Sequence, residues 1–483
     1  MLFNSVSFLI FFPIVVLVYG IIPRKLRLYW LLAASYYFYM SWNAVYAILI
    51  AVSTLTTWGC ALMMQGKEKK RRQQLLALNL IINFGILFFF KYLGFVLSVF
   101  GQRLRFDILL PVGISFYTFQ AVGYTIDVYR EEIDAEKNFF LYALFVSFFP
   151  QLVAGPIERS GNLLNRLRRL EEIRVWVYER ITSGLMLMLW GLFQKVVIAD
   201  RVALVVDTVF AHPWKYGSVE LATGAVFFAI QIYCDFNAYS TIAKGAARVM
   251  GIDLMDNFET PYFAQGVADF WRRWHVSLST WFRDYVYIPL GGNRKGRART
   301  YLNIMITFTL SGLWHGAAWT FVVWGILHGL YRVTGECAAP LFARIKEKLR
   351  IRQEVFSFRF GKALYTCLLT SIAWVIFRAS TIADAWYYLQ RLFTRWNPWV
   401  LFNGGLYELG LDRFEANILK AALLAMLAAS IARVKSGRDF GEALAEQNLF
   451  FRWVVCILLI LSLLVFGSYG VDFDSTQFIY FQF

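Results

Sequence analysis

Long apolar runs separated by short charged segments dominate the sequence. Hydrophobic residues follow one another within each run, whereas Lys and Arg are concentrated between the runs. A helix that crosses a bilayer needs roughly 20 mainly apolar residues. The pattern therefore predicts an all-α polytopic membrane protein with about eleven transmembrane helices, together with re-entrant and interfacial helices.

Two basic clusters predict how the first helices are oriented. They lie at residues 24–27 and 67–72, and basic loops are retained on the cytoplasmic side of a membrane. The N-terminus is therefore expected to be extracytoplasmic, and a pair of spans is expected to turn near residues 41–43. The first apolar run lacks the basic segment and cleavage site of a secretory signal, which predicts a retained helix.

The later spans include two expected irregularities. Residues 109–128 contain Pro111, Gly113 and Gly123, which predict a bent or re-entrant segment covered by protein. Apolar and charged residues alternate over residues 163–180, a pattern typical of an amphipathic surface helix. Regular spans are predicted at residues 75–90, 139–153, 181–198, 221–242, 363–377, 418–432 and 453–466.

Composition supports a membrane protein and excludes other classes. Hydrophobic residues make up 59% of the 483-residue chain, against roughly 45–50% in soluble domains. The net charge of +16 comes from short basic loops, so it indicates contact with the lipid bilayer and no nucleic acid partner. The five cysteines form no CxxC pair, so no disulfide framework or metal site is predicted. No polar linker or repeat divides residues 1–483, which predicts a single domain.

Residues 301–331 form an apolar run that contains no Asp, Glu, Lys or Arg. The run is longer than one straight span requires and too short for two. We therefore expect a broken helix that leads into a second one, with the break at Gly312 and Gly316. His315 lies between these glycines and is expected to be deep in the membrane.

An ionisable residue at that depth indicates a functional site facing the bundle interior, because inserting it costs a few kcal/mol or more. A neutral imidazole at His315 can take a proton from a hydroxyl group, as a general base does. A structural histidine that hydrogen-bonds a neighbouring helix fits the sequence equally well. Spacing alone does not separate these two interpretations.

A second histidine belongs to an apolar stripe upstream of this run. The stripe repeats at helical spacing, which predicts one amphipathic helix at the membrane surface with arginines elsewhere on its surface. His275 is therefore expected to point into protein, either as a satisfied structural histidine or as a catalytic group. The stripe consists of Trp271, Trp274, His275, Leu278, Trp281 and Phe282.

Two further sets of charged residues are candidates for a site. Arg294, Lys295 and Arg297 lie in a glycine-rich basic loop. This loop is expected to determine topology or to hold the phosphates of a cytoplasmic nucleotide-bearing donor. Asp235 lies within a predicted span and requires a partner. It is expected to make a hydrogen bond between helices or to orient a histidine.

Several motifs resemble the membrane-bound O-acyltransferase family. The family signature is similar to WRRWHVSLSTWFRDYVYIPLGGNR at residues 271–294 and SGLWHG at residues 311–316. Three further segments agree in the same order along the chain. They are LLPVGISFYTFQAVGYTIDVYR at residues 109–130, FFPQLVAGPIERSGNLL at residues 148–164 and YCDFNAYSTIAKGAARVMGI at residues 233–252.

The resemblance implies a many-helix O-acyltransferase whose catalytic histidine is His315, with His275 assisting it or lining its tunnel. The chain most resembles the branch that O-acetylates exported bacterial polysaccharides such as alginate. That branch implies acetyl-CoA as the cytoplasmic donor substrate, no bound cofactor and a location in the bacterial inner membrane. It also implies a separate extracytoplasmic acetyltransferase as partner.

Other interpretations fit the same residues. Enzymes that transfer D-alanine to teichoic acid, or acetyl to peptidoglycan or cellulose, share the core motifs. A proton-coupled transporter or flippase also uses intramembrane histidines, although no repeated half is visible here. A third interpretation makes the chain a docking scaffold for an enzyme outside the membrane.

Overall fold

The computed structural model describes residues 1–102 and 108–468, and this part of the chain is helical with no β-strand. Seven helical stretches in it are long and apolar enough to cross a membrane. The predicted total of about eleven spans also counts shorter or less apolar helices. The predicted class, an all-α polytopic membrane protein, is confirmed. The seven stretches are Ala44–Met64, Lys69–Val99, Tyr178–Ala211, Ser218–Val249, Phe356–Arg378, Arg413–Ser436 and Leu449–Phe466.

The first five helices occur in the predicted order. A short turn at residues 41–43 separates the second helix from the third, which confirms the predicted pair. A π-helical turn at Phe88–Tyr92 joins the fourth helix to the fifth, and such single π-turns are frequent at functional sites. The helices are α1 (Val6–Ile21), α2 (Arg27–Met40), α3 (Ala47–Met64), α4 (Lys69–Leu87) and α5 (Leu93–Val99).

The segment expected to be bent or re-entrant is irregular only at its start. Gly113 has a φ of 74°, and a Cβ atom there would lie 2.6 Å from the carbonyl oxygen of Leu152. Only glycine fits this position. The regular helix α6 (Ile114–Tyr129) follows directly, and nearly all of its side chains are buried. The prediction is therefore right for residues 109–113 and wrong for the helix itself.

Residues 163–180 do not form the predicted surface helix, because tertiary contacts override the local pattern. The helix that begins there ends at Leu167. The Arg27 guanidinium donates hydrogen bonds to the carbonyl oxygens of Leu170 and Ile173, at 3.1 and 2.7 Å. A continued helix would need both oxygens for its own hydrogen bonds. The helices of this region are α7 (Phe139–Ser147), α8 (Phe149–Leu152) and α9 (Asn165–Leu167).

The predicted span at residues 139–153 is split after Ser147, where Pro150 has no amide hydrogen for a continued helix. Two helical stretches follow, Tyr178–Ala211 and Ser218–Val249, and each is longer at both ends than the span predicted there, 181–198 or 221–242. A π-helical turn at Phe193–Ala199 joins the two helices of the first stretch. These helices are α10 (Tyr178–Leu192), α11 (Asp200–Ala211) and α12 (Ser218–Val249).

The apolar stripe around His275 lies on two short helices, not on the single helix that we predicted. Helix α13 (Val267–Arg273) ends before Trp274, and α14 (Val276–Phe282) begins after His275. The backbone at the break pairs with the preceding segment: the Val276 amide donates to Asn257 O, at 2.9 Å, in place of a helical partner. All six residues of the stripe are nevertheless buried, as predicted.

Helix α15 (Arg297–His315) stops at Gly316, and α16 (Trp319–Lys348) packs back against it. This confirms the predicted break at Gly316, whereas Gly312 lies inside α15. Gly312 and Gly325 bring the two backbones together, and a Cβ on Gly325 would lie 2.3 Å from the Phe308 carbonyl oxygen. Small residues permit such close packing between membrane helices.

The remaining helices complete the bundle after α16. Helix α18 was not predicted from the sequence, and it exposes large aromatic side chains such as Trp386 and Phe393. The helices are α17 (Phe356–Arg378), α18 (Ile382–Thr394), α19 (Val400–Asn403), α20 (Arg413–Ser436), α21 (Phe440–Ala445) and α22 (Leu449–Phe466).

Substituting Gly325→Ala is expected to lower stability by about 1–3 kcal/mol, because the added methyl group overpacks a rigid backbone contact. The thermal unfolding midpoint in detergent measures this loss. Gly335→Ala is the matched control, since it lies on the same helix and a Cβ there meets nothing within 4 Å. Equal midpoints for the two variants would contradict the proposed helix contact.

Candidate active site

His315 is the last residue of α15, and its side chain is only 4% exposed. Aromatic rings surround the imidazole: the centroids of Trp314, Trp324 and Phe377 lie 5.1, 5.1 and 5.4 Å from its own. These rings come from α15, α16 and α17, so three helices determine where the imidazole lies. The predicted position of His315 inside the protein is confirmed.

The second predicted histidine lies beside the first. The ring centroids of His275 and His315 are 6.4 Å apart and their planes meet at 65°. His275 is fully buried, with the Phe236 ring edge-on to it at 4.7 Å. The loop between α13 and α14 thus brings His275 to the end of α15, and the two histidines form one site.

Asn257 defines which nitrogen of His275 carries the proton. Its Oδ1 accepts from the Ser277 amide at 3.3 Å and from Ser277 Oγ at 2.7 Å, and its side-chain nitrogen donates to Ser240 Oγ at 3.1 Å. Oδ1 therefore acts as an acceptor, and His275 Nδ1, 3.3 Å from it, must be the donor. In the neutral imidazole, Nε2 then has the lone pair and can accept a proton or a hydrogen bond.

The backbone at His275 supports a functional interpretation of this residue. Its φ is 43°, in the left-handed region that non-glycine residues rarely adopt. Such conformations cost of order 1–3 kcal/mol and cluster at active sites. The hydrogen bonds from the Val276 amide and His275 Nδ1 to Asn257 hold His275 in this conformation.

A small cavity of about 80 Å³ lies next to His315. It is lined on one side by Trp42, near the turn between α2 and α3, and on another by Ser115 of α6. Lys91 also lines it, and this lysine contacts the backbone of His315 at 3.1 Å. The cavity therefore places two polar side chains, Lys91 and Ser115, close to His315.

The basic residues of the predicted phosphate site lie far from the histidines. Arg294 and Lys295 precede α15 and Arg297 begins it, and all three are exposed. The 19-residue α15 separates them from His315 by about 28 Å. A molecule that contacts both ends must therefore extend along α15.

Asp235 has the partner that its burial requires. The Lys195 ammonium lies 2.7 Å from Asp235 and 2.8 Å from Asp200, and all three side chains are buried. This cluster links α12 to the π-helical turn between α10 and α11. It supports the interpretation of Asp235 as a structural link between helices.

Two residues of the site were missed in the sequence. Asn257 lies in a loop whose local pattern gives no signal, because its contact with His275 depends on the tertiary fold. Lys91 does have a signal: it is a single cation that interrupts an apolar run, FFFKYLGF, directly after the predicted span 75–90. An intramembrane cation of this kind indicates a functional site.

Comparison with known proteins defines the class of this chain. The model of the MBOAT family, the membrane-bound O-acyltransferases, matches residues 36–377, which include both histidines. The chain therefore belongs to the membrane-bound O-acyltransferase family and is an O-acyltransferase. The resemblance inferred from the sequence motifs is confirmed.

Three relatives show how far the similarity extends. The chain is 37% identical to the probable alginate O-acetylase of Pseudomonas aeruginosa, over 82% of this chain and 75% of that protein. It is 34% identical to the peptidoglycan O-acetyltransferase of Helicobacter pylori, over 80% and 78% of the two chains. Identity to the teichoic acid D-alanyltransferase of Bacillus subtilis is 26%, over 45% of this chain and 57% of that protein.

Replacing Asn257 by leucine is expected to reduce O-acyl transfer roughly 10- to 100-fold, as does removal of the group that orients a metal-bound histidine in other proteins. The variant loses the acceptor for His275 Nδ1. Ser240→Ala is the control, because it removes only the far partner of Asn257. Full activity of Asn257→Leu would contradict the orienting role.

The Lys195 cluster predicts an asymmetry between two substitutions. Lys195→Met leaves two buried carboxylates without this cation and should lower the free energy of unfolding by about 3–5 kcal/mol. Asp235→Asn leaves the Lys195–Asp200 pair intact and should lower the free energy of unfolding by a smaller amount. Chemical or thermal unfolding in detergent measures both. If Asp235→Asn unfolds normally and yet loses activity, the structural interpretation of Asp235 is wrong.

Proposed function

We propose that this protein moves acetyl groups from cytoplasmic acetyl-CoA across the bacterial inner membrane for O-acetylation of an exported, alginate-like polysaccharide. The observation that carries the proposal is the pair His315 and His275, buried side by side where α15 ends inside the bundle. The relatives support the acceptor class, because several proteins 37–38% identical to this chain are probable alginate O-acetylases.

In the proposed reaction His315 acts as the general base. Its imidazole removes the proton from an acceptor hydroxyl, and the oxygen bonds to the thioester carbonyl carbon of acetyl-CoA. The carbon–sulfur bond then breaks, and the proton on His315 passes to the departing sulfur to give the free thiol. Proton transfer of this kind contributes typically 10² to 10⁴ in rate. His275, positioned by Asn257, is the proposed second residue of the site and lines it beside His315.

The proposed donor lies along α15 and extends about 28 Å, from the basic loop to the histidines. Arg294, Lys295 and Arg297 are the proposed contacts for the donor phosphates, since cations favour phosphate oxygens. The basic loop is then cytoplasmic and the N-terminus extracytoplasmic, as the charge pattern predicts. A separate extracytoplasmic acetyltransferase is the proposed partner that completes the transfer to the polymer.

A second candidate acceptor is peptidoglycan. The Helicobacter pylori peptidoglycan O-acetyltransferase is nearly as similar to this chain as the alginate O-acetylases are. The donor and the chemistry at His315 are the same in this alternative. Teichoic acid D-alanylation has weaker support, because that similarity covers less than half of the chain.

The proposal predicts that His315→Ala lowers turnover of radiolabelled acetyl-CoA by about 10²- to 10⁴-fold in the chain reconstituted with its genomic neighbours and a polymer acceptor. His212→Ala is the matched control, because His212 is an exposed histidine outside the site. Alginate and peptidoglycan fragments compared as acceptors separate the two candidate polymers. Wild-type turnover in His315→Ala would contradict the proposal. Turnover only with a carrier-bound acyl donor would show that acetyl-CoA is not the donor.

A further inference from the structure

The π-helical turn at Phe88–Tyr92 presents two adjacent polar side chains to the end of α15. Tyr92 Oη donates to the carbonyl oxygen of Leu313 at 3.0 Å. Lys91 Nζ donates to the carbonyl oxygens of Trp314 and His315 at 2.7 and 3.1 Å. Three successive carbonyls at the end of α15 are thus bound by two successive residues.

These contacts supply hydrogen-bond donors to the carbonyl groups at the end of a helix that terminates inside the protein. The last carbonyl groups of a helix have no partner within it, and an unsatisfied carbonyl away from water costs several kcal/mol. A cation is particularly suitable here, because the C-terminal end of a helix has a partial negative charge. Lys91 and Tyr92 therefore stabilise the last turn of α15, which contains His315.

All three protons of the Lys91 ammonium are used. The third donates to Ser115 Oγ at 3.3 Å, which connects the π-helical turn to α6 as well as to α15. An ammonium group has three donors and no acceptor. Lys91 therefore has no proton left for a substrate unless it gives up one of these contacts, although it lines the cavity beside His315.

The cation itself needs an explanation, because a charged group in an apolar run is costly. A second hydroxyl, like that of Tyr92, can also satisfy a carbonyl. The three donors of the Lys91 ammonium bind two carbonyls and a serine hydroxyl together, which ties the final turn of α15 to α6. The free-energy cost of burying the Lys91 cation is thus offset by its hydrogen bonds to the backbone that carries His315.

We propose that Lys91 and Tyr92 are positioning residues that clamp the end of α15 and hold His315 in the geometry required for acyl transfer. The inference rests on the proposed role of His315 as the base. Without the clamp, the final turn of α15 relaxes and the imidazole shifts relative to the acceptor hydroxyl. A shift of about 1 Å in a reacting group can reduce the rate 10²-fold.

The test compares Lys91→Met, Lys91→Arg and Tyr92→Phe in the full-length protein with its partner, using acetyl-CoA as the varied substrate. Lys91→Met should lower kcat by about 10- to 100-fold while KM for acetyl-CoA changes less than about twofold, since binding is not affected. Lys91→Arg should recover part of kcat, because guanidinium also donates to several oxygens. Tyr92→Phe loses one hydrogen bond and should lower kcat by up to about tenfold. Ser98→Ala, on the exposed end of α5, is the control.

Several outcomes would overturn the clamp. Unchanged kcat in Lys91→Met contradicts it, as does a raised KM with unchanged kcat, which would instead place Lys91 in donor binding. If Lys91→Met does not fold, Tyr92→Phe and Lys91→Arg decide: wild-type kcat in both refutes the clamp. Activity retained in His315→Ala refutes the proposed function itself, whereas loss in His315→Ala with full activity in Lys91→Met refutes only the clamp.

Discussion

The structure depends on a helix that ends in the interior of a membrane protein. Helix α15 stops at His315, where its last carbonyls have no intrahelical partner. Side chains from the π-helical turn of α4 and α5 supply the missing donors. Because the last residue of this helix is the histidine, satisfying the backbone also determines where the imidazole lies.

Close packing on the other side of α15 restricts the same position. The break at Gly316 lets α16 turn back, and Gly312 and Gly325 bring the two backbones within contact distance. Rings from α16 and α17 then enclose His315, while the strained loop at His275 places the second imidazole beside it. The site is thus assembled from elements that are distant in sequence and closely packed where they meet.

The sequence predicted those features that depend on local composition. The absence of charge over residues 301–331 predicted the broken helix, and the depth of His315 followed from it. The sequence did not predict features where distant groups take over backbone hydrogen bonds. Asn257 splits the expected helix at His275, and Arg27 takes the carbonyls that residues 163–180 would need to stay helical. Helical periodicity describes which residues are buried, and it does not describe which backbone groups have a tertiary partner.

A structure of the reconstituted protein with a ketone analogue of acetyl-CoA, in which a methylene group replaces the thioester sulfur, tests the central claim most directly. The analogue cannot be cleaved, so its carbonyl reports where acyl transfer occurs. We expect the carbonyl between the imidazoles of His315 and His275, with the phosphates at Arg294, Lys295 and Arg297. A carbonyl bound away from both histidines would contradict the assignment of this site to acyl transfer.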